Sequence, residues 1–216
     1  RMKTRYFLPF LVLILNLSFL NNSIYAQTKT DVWDFGADQL DSNTYNNMLD
    51  VATINGWYPS SVTPGSSGNT LPSSFTVGIL SWTSNSSTSD RLRTSNTDLT
   101  RYDSNAVPIS WGSQSLRGYL YVNSSGNLNR FFTLNLNEDD EVTILAKSQN
   151  GTGKMTFELT GEAGQKDVHD LTTSVNEYSF VAQKAGAYKI YDSVDKPFYY
   201  RIYRKPATYV TVSGTV

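Results

Sequence analysis

From Phe75 onward nearly every apolar run in the chain is short, alternates with a period of two, and is bounded by Gly, Asn, Asp or Pro. Period two places successive side chains on opposite faces of a strand, so each run can bury one face only by pairing into a sheet. The pattern is densest over 177–205, EYSFVAQKAGAYKIYDSVDKPFYYRIYRK, where three β-rich runs (178–182, 187–191 and 198–203) are separated by the turn Lys184-Ala185-Gly186 and by a break over 192–197. Alternation in the last run predicts Phe198, Tyr200 and Ile202 on a core face, with Tyr199, Arg201, Tyr203 and Lys205 on the other.

Further runs over 75–82, 116–122, 130–136, 142–146 and 155–159 continue the spacing, with Gly126, Asn137 to Asp140 and Gly151 marking turns. Residues 32–35, VWDF, read as a first edge strand. Between Ser42 and Trp57, Tyr45, Met48, Leu49 and Ala52 recur at three and four residue steps, which predicts one short helix capped by Ser42 or Asn43 and stopped at Gly56. Residues 59–74 form a Pro, Gly and Ser-rich loop, and 207–216 read as one more strand. Short strands at regular spacing predict an all-β fold, an antiparallel β-sandwich of jelly-roll-like form with one short N-terminal helix.

The N-terminal residues have the pattern of an export signal. Arg1, Lys3 and Arg5 precede an apolar stretch over 7–20, and Ala26 offers a cleavage position. The expected division is a signal peptide over 1–26, a sandwich over 27–208, and the start of a linker or following module over 209–216. The apolar stretch is short and interrupted for a membrane span, although a retained anchor is the alternative. A secreted, bacterial protein with no membrane attachment after cleavage is therefore expected. The chain has no Cys, so no disulfide holds the domain in an oxidising compartment. Three of the 18 Lys and Arg lie in the leader and all 19 Asp and Glu lie beyond it, leaving a net charge of −4 after Ala26. That balance argues against nucleic acid as a partner.

Catalytic chemistry finds little support in the residues. His169 stands between Asp167 and Asp170, but no G-x-S-x-G elbow marks a nucleophile. One His and no Cys leave carboxylates and carbonyls as metal ligands, and Glu138-Asp139-Asp140-Glu141 is a candidate for structural calcium or a solvated turn. No catalytic residue, metal ligand or cofactor is assigned. Arg91, Arg93 and Arg101 could clamp carboxylates or pair with Asp90, Asp98 and Asp103.

The remaining constellation is aromatic and basic. Alternation in 116–122 directs Arg117, Tyr119 and Tyr121 outward, repeating the chemistry of Tyr199, Arg201 and Tyr203. If their strands share an open sheet face, these six residues form a platform on which sugar rings lie against Tyr while Arg holds uronic-acid carboxylates. If that face is covered, they are part of the packing instead.

Several phrases carry a resemblance: VWDFGADQLDSNTYNN, DRLRTSNTDLTRYD, GYLYVN with RFFTLNL, KSQNGTGKMTF, and AGAYKIYDSVDKPFYYRIYRKPATY. In these the chain resembles the N-terminal module that precedes the parallel β-helix domain in some secreted bacterial pectate lyases. The resemblance implies an accessory β-sandwich on a plant cell-wall degrading protein, with a catalytic domain downstream in the same chain and no binding residues to carry over. The chain lacks the repetitive β-helix, so the lyase reaction is not assigned to it. The expectation is a non-catalytic carbohydrate-binding module for plant cell-wall or other acidic polysaccharides, against a structural spacer or adhesion module without sugar specificity.

Overall fold

The computed structural model describes residues 28–63, 70–84, 90–100, 106–126, 128–161 and 164–208. The expected signal peptide, Arg101 and nearly all of the expected final strand lie outside them. The described residues are almost entirely β, in two stacked sheets joined by antiparallel pairing throughout except for one parallel contact.

The first sheet runs β13(Asn176–Val181), β10(Glu141–Ser148), β15(Pro197–Lys205), β1(Thr30–Asp34), β2(Tyr45–Asn47), with β8(Gly118–Tyr121) and β5(Arg91–Thr94) attached beside the start of β15. The second runs β12(Lys166–Asp170), β11(Lys154–Leu159), β14(Gly186–Asp192), β9(Arg130–Leu136), β4(Leu80–Ser84), β3(Ser74–Val77). A separate hairpin pairs β6(Ile109–Trp111) with β7(Gln114–Leu116). β1 is an interior strand and not the expected edge, because β2 adds to it in parallel.

Alternation explains the core between the sheets. Val142 and Ile144 from β10, Tyr178 and Phe180 from β13, and Trp33 and Ile202 meet Trp82, Phe132, Phe157, Tyr188 and Ile190 from the second sheet. Phe132 packs edge-on against Tyr199 with ring centroids 5.2 Å apart, and Phe157 meets Phe180 at 4.2 Å. A buried side chain of this size contributes about 1.5–3 kcal/mol by leaving water, which is why the period-two signal was so strong.

The expected 75–82 strand is two strands, because Gly78 takes φ +62° and turns the chain so that Val77 faces Leu80. The helix lies later than expected. Residues 45–47 are β2, and α1(Val51–Gly56) begins where Asp50 accepts the Thr53 N–H at 2.7 Å as N-cap. Tyr45 belongs to a strand because its neighbours pair with β1, a tertiary contact that outweighs the helical spacing.

Candidate functional site

One face of the first sheet packs on the core; the other carries the hairpin β6–β7. Ala106, Leu116, Tyr119, Tyr121, Leu145 and Tyr200 form a second apolar cluster there, with Ile109, Trp111 and Phe198 against it. The expected platform is therefore covered. Tyr119 and Tyr121 do face away from the main core, as alternation predicted, but each is only 7% exposed. Tyr119 stacks on Phe198 at 4.9 Å, and Tyr121 hydrogen-bonds Gln149 and lies under Arg93.

On β15 the alternation itself fails. Leu145 faces Arg201 while Ala146 faces Tyr199, so Tyr200 is an extra residue in a β-bulge. The bulge puts Tyr199 into the main core and leaves Tyr200 and Arg201 consecutively on the hairpin side. Tyr199 is buried, which raises its hydroxyl well above the ordinary range. Arg201 is fully buried against Asp34. Arg117 is half-exposed but pairs with Asp38. Of the six expected residues, Tyr203 lines an open cavity.

That cavity is a groove of about 350 Å³ on the part of the sheet that the hairpin leaves open. Its floor comes from β10 and β15: Thr143 lies opposite Tyr203, and Glu141 opposite Lys205. Trp111 and Gln114, the two residues flanking the hairpin turn, form one wall. Glu177 on β13 and Tyr45 on β2 stand at its two ends. It crosses five adjacent strands, and four inter-strand steps of about 4.8 Å make it about 19 Å long.

Tyr45, Trp111 and Tyr203 are each part-exposed, with the rings of Tyr45 and Tyr203 5.9 Å apart and inclined at 50°. The groove is held from beneath. Arg201 donates from Nη1 to Gln114 Oε1 and to the Tyr203 hydroxyl, the latter at 3.0 Å, while its other nitrogens meet Asp34. Burial pushes the Asp34 carboxyl up to about 6, against the pull of Arg201. Arg201 is thus a strut for two groove residues rather than a ligand contact.

Sequence reasoning missed Trp111, Gln114 and Tyr45. The signal for the first two was present: Ile109-Ser110-Trp111-Gly112-Ser113-Gln114 places a two-residue Gly-Ser turn between alternating residues, and Gly112 takes φ +58°. Tyr45 was hidden by the helical spacing around it.

Other candidates do not assemble. His169 packs its ring edge-on with Phe157 and Tyr178, while Asp170 pairs with Lys154 and Asp167 with Gln165, so no triad forms. The calcium candidate is used internally: Asp140 accepts from Arg204, from the Asn137 N–H and from the Ala207 N–H, and Glu141 pairs with Lys205. Among the described residues no group of three His, Asp or Glu side chains could hold a metal. Asp90 pairs with Arg130 at 2.9 Å. A cleft of about 430 Å³ at the open edge near β12 and β13 is lined by Phe180, whose ring is buried in the core, and by His169, whose ring packs edge-on against Phe157. No described helix is long and apolar enough to cross a membrane.

No family model matches the chain, and no curated protein matches it. Solved structures with some likeness include one described as reflecting an expansion in glycan recognition in the Ruminococcus flavefaciens cellulosome, at TM-score 0.41 and 10% identity over 85% of this chain and 99% of that one. A carbohydrate binding module from Cellvibrio mixtus lichenase 5A, in complex with cellotriose, gives TM-score 0.33 and 15% identity over 49% of this chain and 89% of that one. The apo CBM1 of BiXyn10A gives TM-score 0.32 and 15% identity over 42% and 74%. Likenesses this distant carry no argument about what this chain binds.

Proposed function

We propose that the chain is a non-catalytic carbohydrate-binding module whose binding site is the groove between β13 and β2. The observation that carries this reading is the meeting of three part-exposed rings, Tyr45, Trp111 and Tyr203, around a floor and walls of hydroxyl, amide and carboxylate groups. Pyranose rings present apolar C–H faces that lie on such rings, while their hydroxyls bond to side chains such as Thr143, Gln114 and Glu177. An elongated groove across five strands accommodates several linked sugars rather than one.

The arrangement supports binding without bond cleavage. Glu141 and Glu177 sit on neighbouring strands, but Leu145 is the residue opposite Glu177, so their backbones stand four residues out of register. That separates their Cα atoms by about 14 Å. Glu141 is also engaged by Lys205.

Affinity electrophoresis of the protein in gels containing a panel of plant and microbial polysaccharides tests the proposal. Retardation in at least one gel, abolished in Trp111→Ala, is the expected result. Unretarded migration in every gel favours the structural-spacer alternative.

A further inference from the structure

Resting on the groove as the binding site, we infer that its ligand class is neutral, hydroxyl-rich polysaccharide and that the groove rejects polyuronates. The charges lining it decide this. Glu141 and Glu177 are both exposed into the groove, and Lys205 is the one cation among its lining residues. Lys205 Nζ lies 3.2 Å from both oxygens of Glu141, so its charge is already matched. Glu177 has no ion-pair partner among the described residues and leaves the groove net negative.

Three arginines beside the strands and hairpin of the groove are committed elsewhere. Arg201 is fully buried with its guanidinium on Asp34. Arg117 pairs with Asp38, and Arg204 pairs with Asp140 at 2.8 Å and with Asp31 at 3.2 Å. A polyuronate brings one carboxylate per ring into a site about 19 Å long, where it meets Glu177 and a neutralised Lys205 instead of a guanidinium fork. A neutral glycan brings hydroxyl donors, and an ionised carboxylate is an acceptor with up to four lone-pair sites for them. Both carboxylates therefore offer acceptors to the neutral class, and the uncompensated charge of Glu177 repels the anionic one.

The test is calorimetric titration of the protein with a hexagalacturonate and with neutral hexasaccharides of glucose, xylose, mannose and galactose, at low and high salt. At low ionic strength at least one neutral hexasaccharide binds about tenfold or more tightly than the hexagalacturonate, and the gap narrows in high salt because exposed charges are screened within about 8–10 Å. The double variant Glu141→Gln with Glu177→Gln narrows the gap at low salt by improving hexagalacturonate binding. Hexagalacturonate binding that equals or exceeds every neutral ligand, and is lost in Trp111→Ala, overturns the charge inference while leaving the groove in place. Absence of binding to all ligands, or binding indifferent to Trp111→Ala, overturns the groove and the inference with it.

Discussion

Arg201, with none of its surface exposed, donates a hydrogen bond at 3.0 Å from Nη1 to the hydroxyl of Tyr203, two residues along the same strand. The bond links a buried ion pair to a ring at the floor of the groove. It makes the orientation of Tyr203 depend on a charge that no ligand touches.

Breaking that ion pair should unfold the domain rather than disable binding alone. Arg201→Met leaves the buried Asp34 carboxylate without its guanidinium, and such half-broken pairs cost about 3–5 kcal/mol. Urea denaturation monitored by fluorescence reads this directly. Combined replacement of Tyr199, Arg201 and Tyr203 by Ala adds a core cavity where Tyr199 met Phe132, and a folded triple variant would contradict the packing described above.

Asp34 gives the domain a pH signature. Its carboxyl is raised from 3.8 to about 6 by burial, so between those values the folded protein holds a proton that the unfolded chain releases. The stability contributed by Asp34 is therefore fully present below pH 4 and lost as pH rises through about 6. The size is about 3 kcal/mol, at about 1.4 kcal/mol per unit. The unfolding free energy of the wild type minus that of Asp34→Asn should fall by roughly this amount from pH 4 to pH 7. A flat difference would mean that Asp34 titrates normally.

Gly118 joins β8 to the end of β1 by backbone contact. A Cβ there would lie 2.6 Å from the Phe35 carbonyl oxygen and 2.8 Å from Gly36 Cα, neither of which can swing aside. Gly118→Ala should lower stability by about 1–3 kcal/mol, the usual cost of overpacking, and thermal unfolding should show it.

The core between the sheets was legible in the sequence because period two and burial coincide there, in Val142 and Ile144 or Phe132 and Leu134. The site was not, and three physical causes account for it. The bulge at Tyr200 inserts one residue, and a one-residue shift reverses the face of whatever precedes it, so Tyr199 changed sides. The hairpin covering Tyr119 and Tyr121 is a tertiary contact between segments adjacent in space, and period two says which way a ring points but not what lies over it. Tyr45 sits on a three-residue strand whose pairing with β1 is parallel and non-local, so local spacing pointed to a helix. Arg201, expected as an outward ligand contact, is buried and instead holds Gln114 and Tyr203 in place.

Trp111 offers the most direct measurement. Calorimetric titration of a retained polysaccharide's oligosaccharide with wild type, Trp111→Ala and, as a control on the second sheet, Val168→Ser compares the groove with a surface outside it in one experiment. Val168 is 52% exposed, so its replacement leaves the fold undisturbed. If the groove binds sugar, Trp111→Ala weakens affinity by about 2 kcal/mol, roughly thirtyfold, while the variant remains folded by circular dichroism and Val168→Ser equals wild type. Undiminished affinity in folded Trp111→Ala would contradict the assignment of the groove.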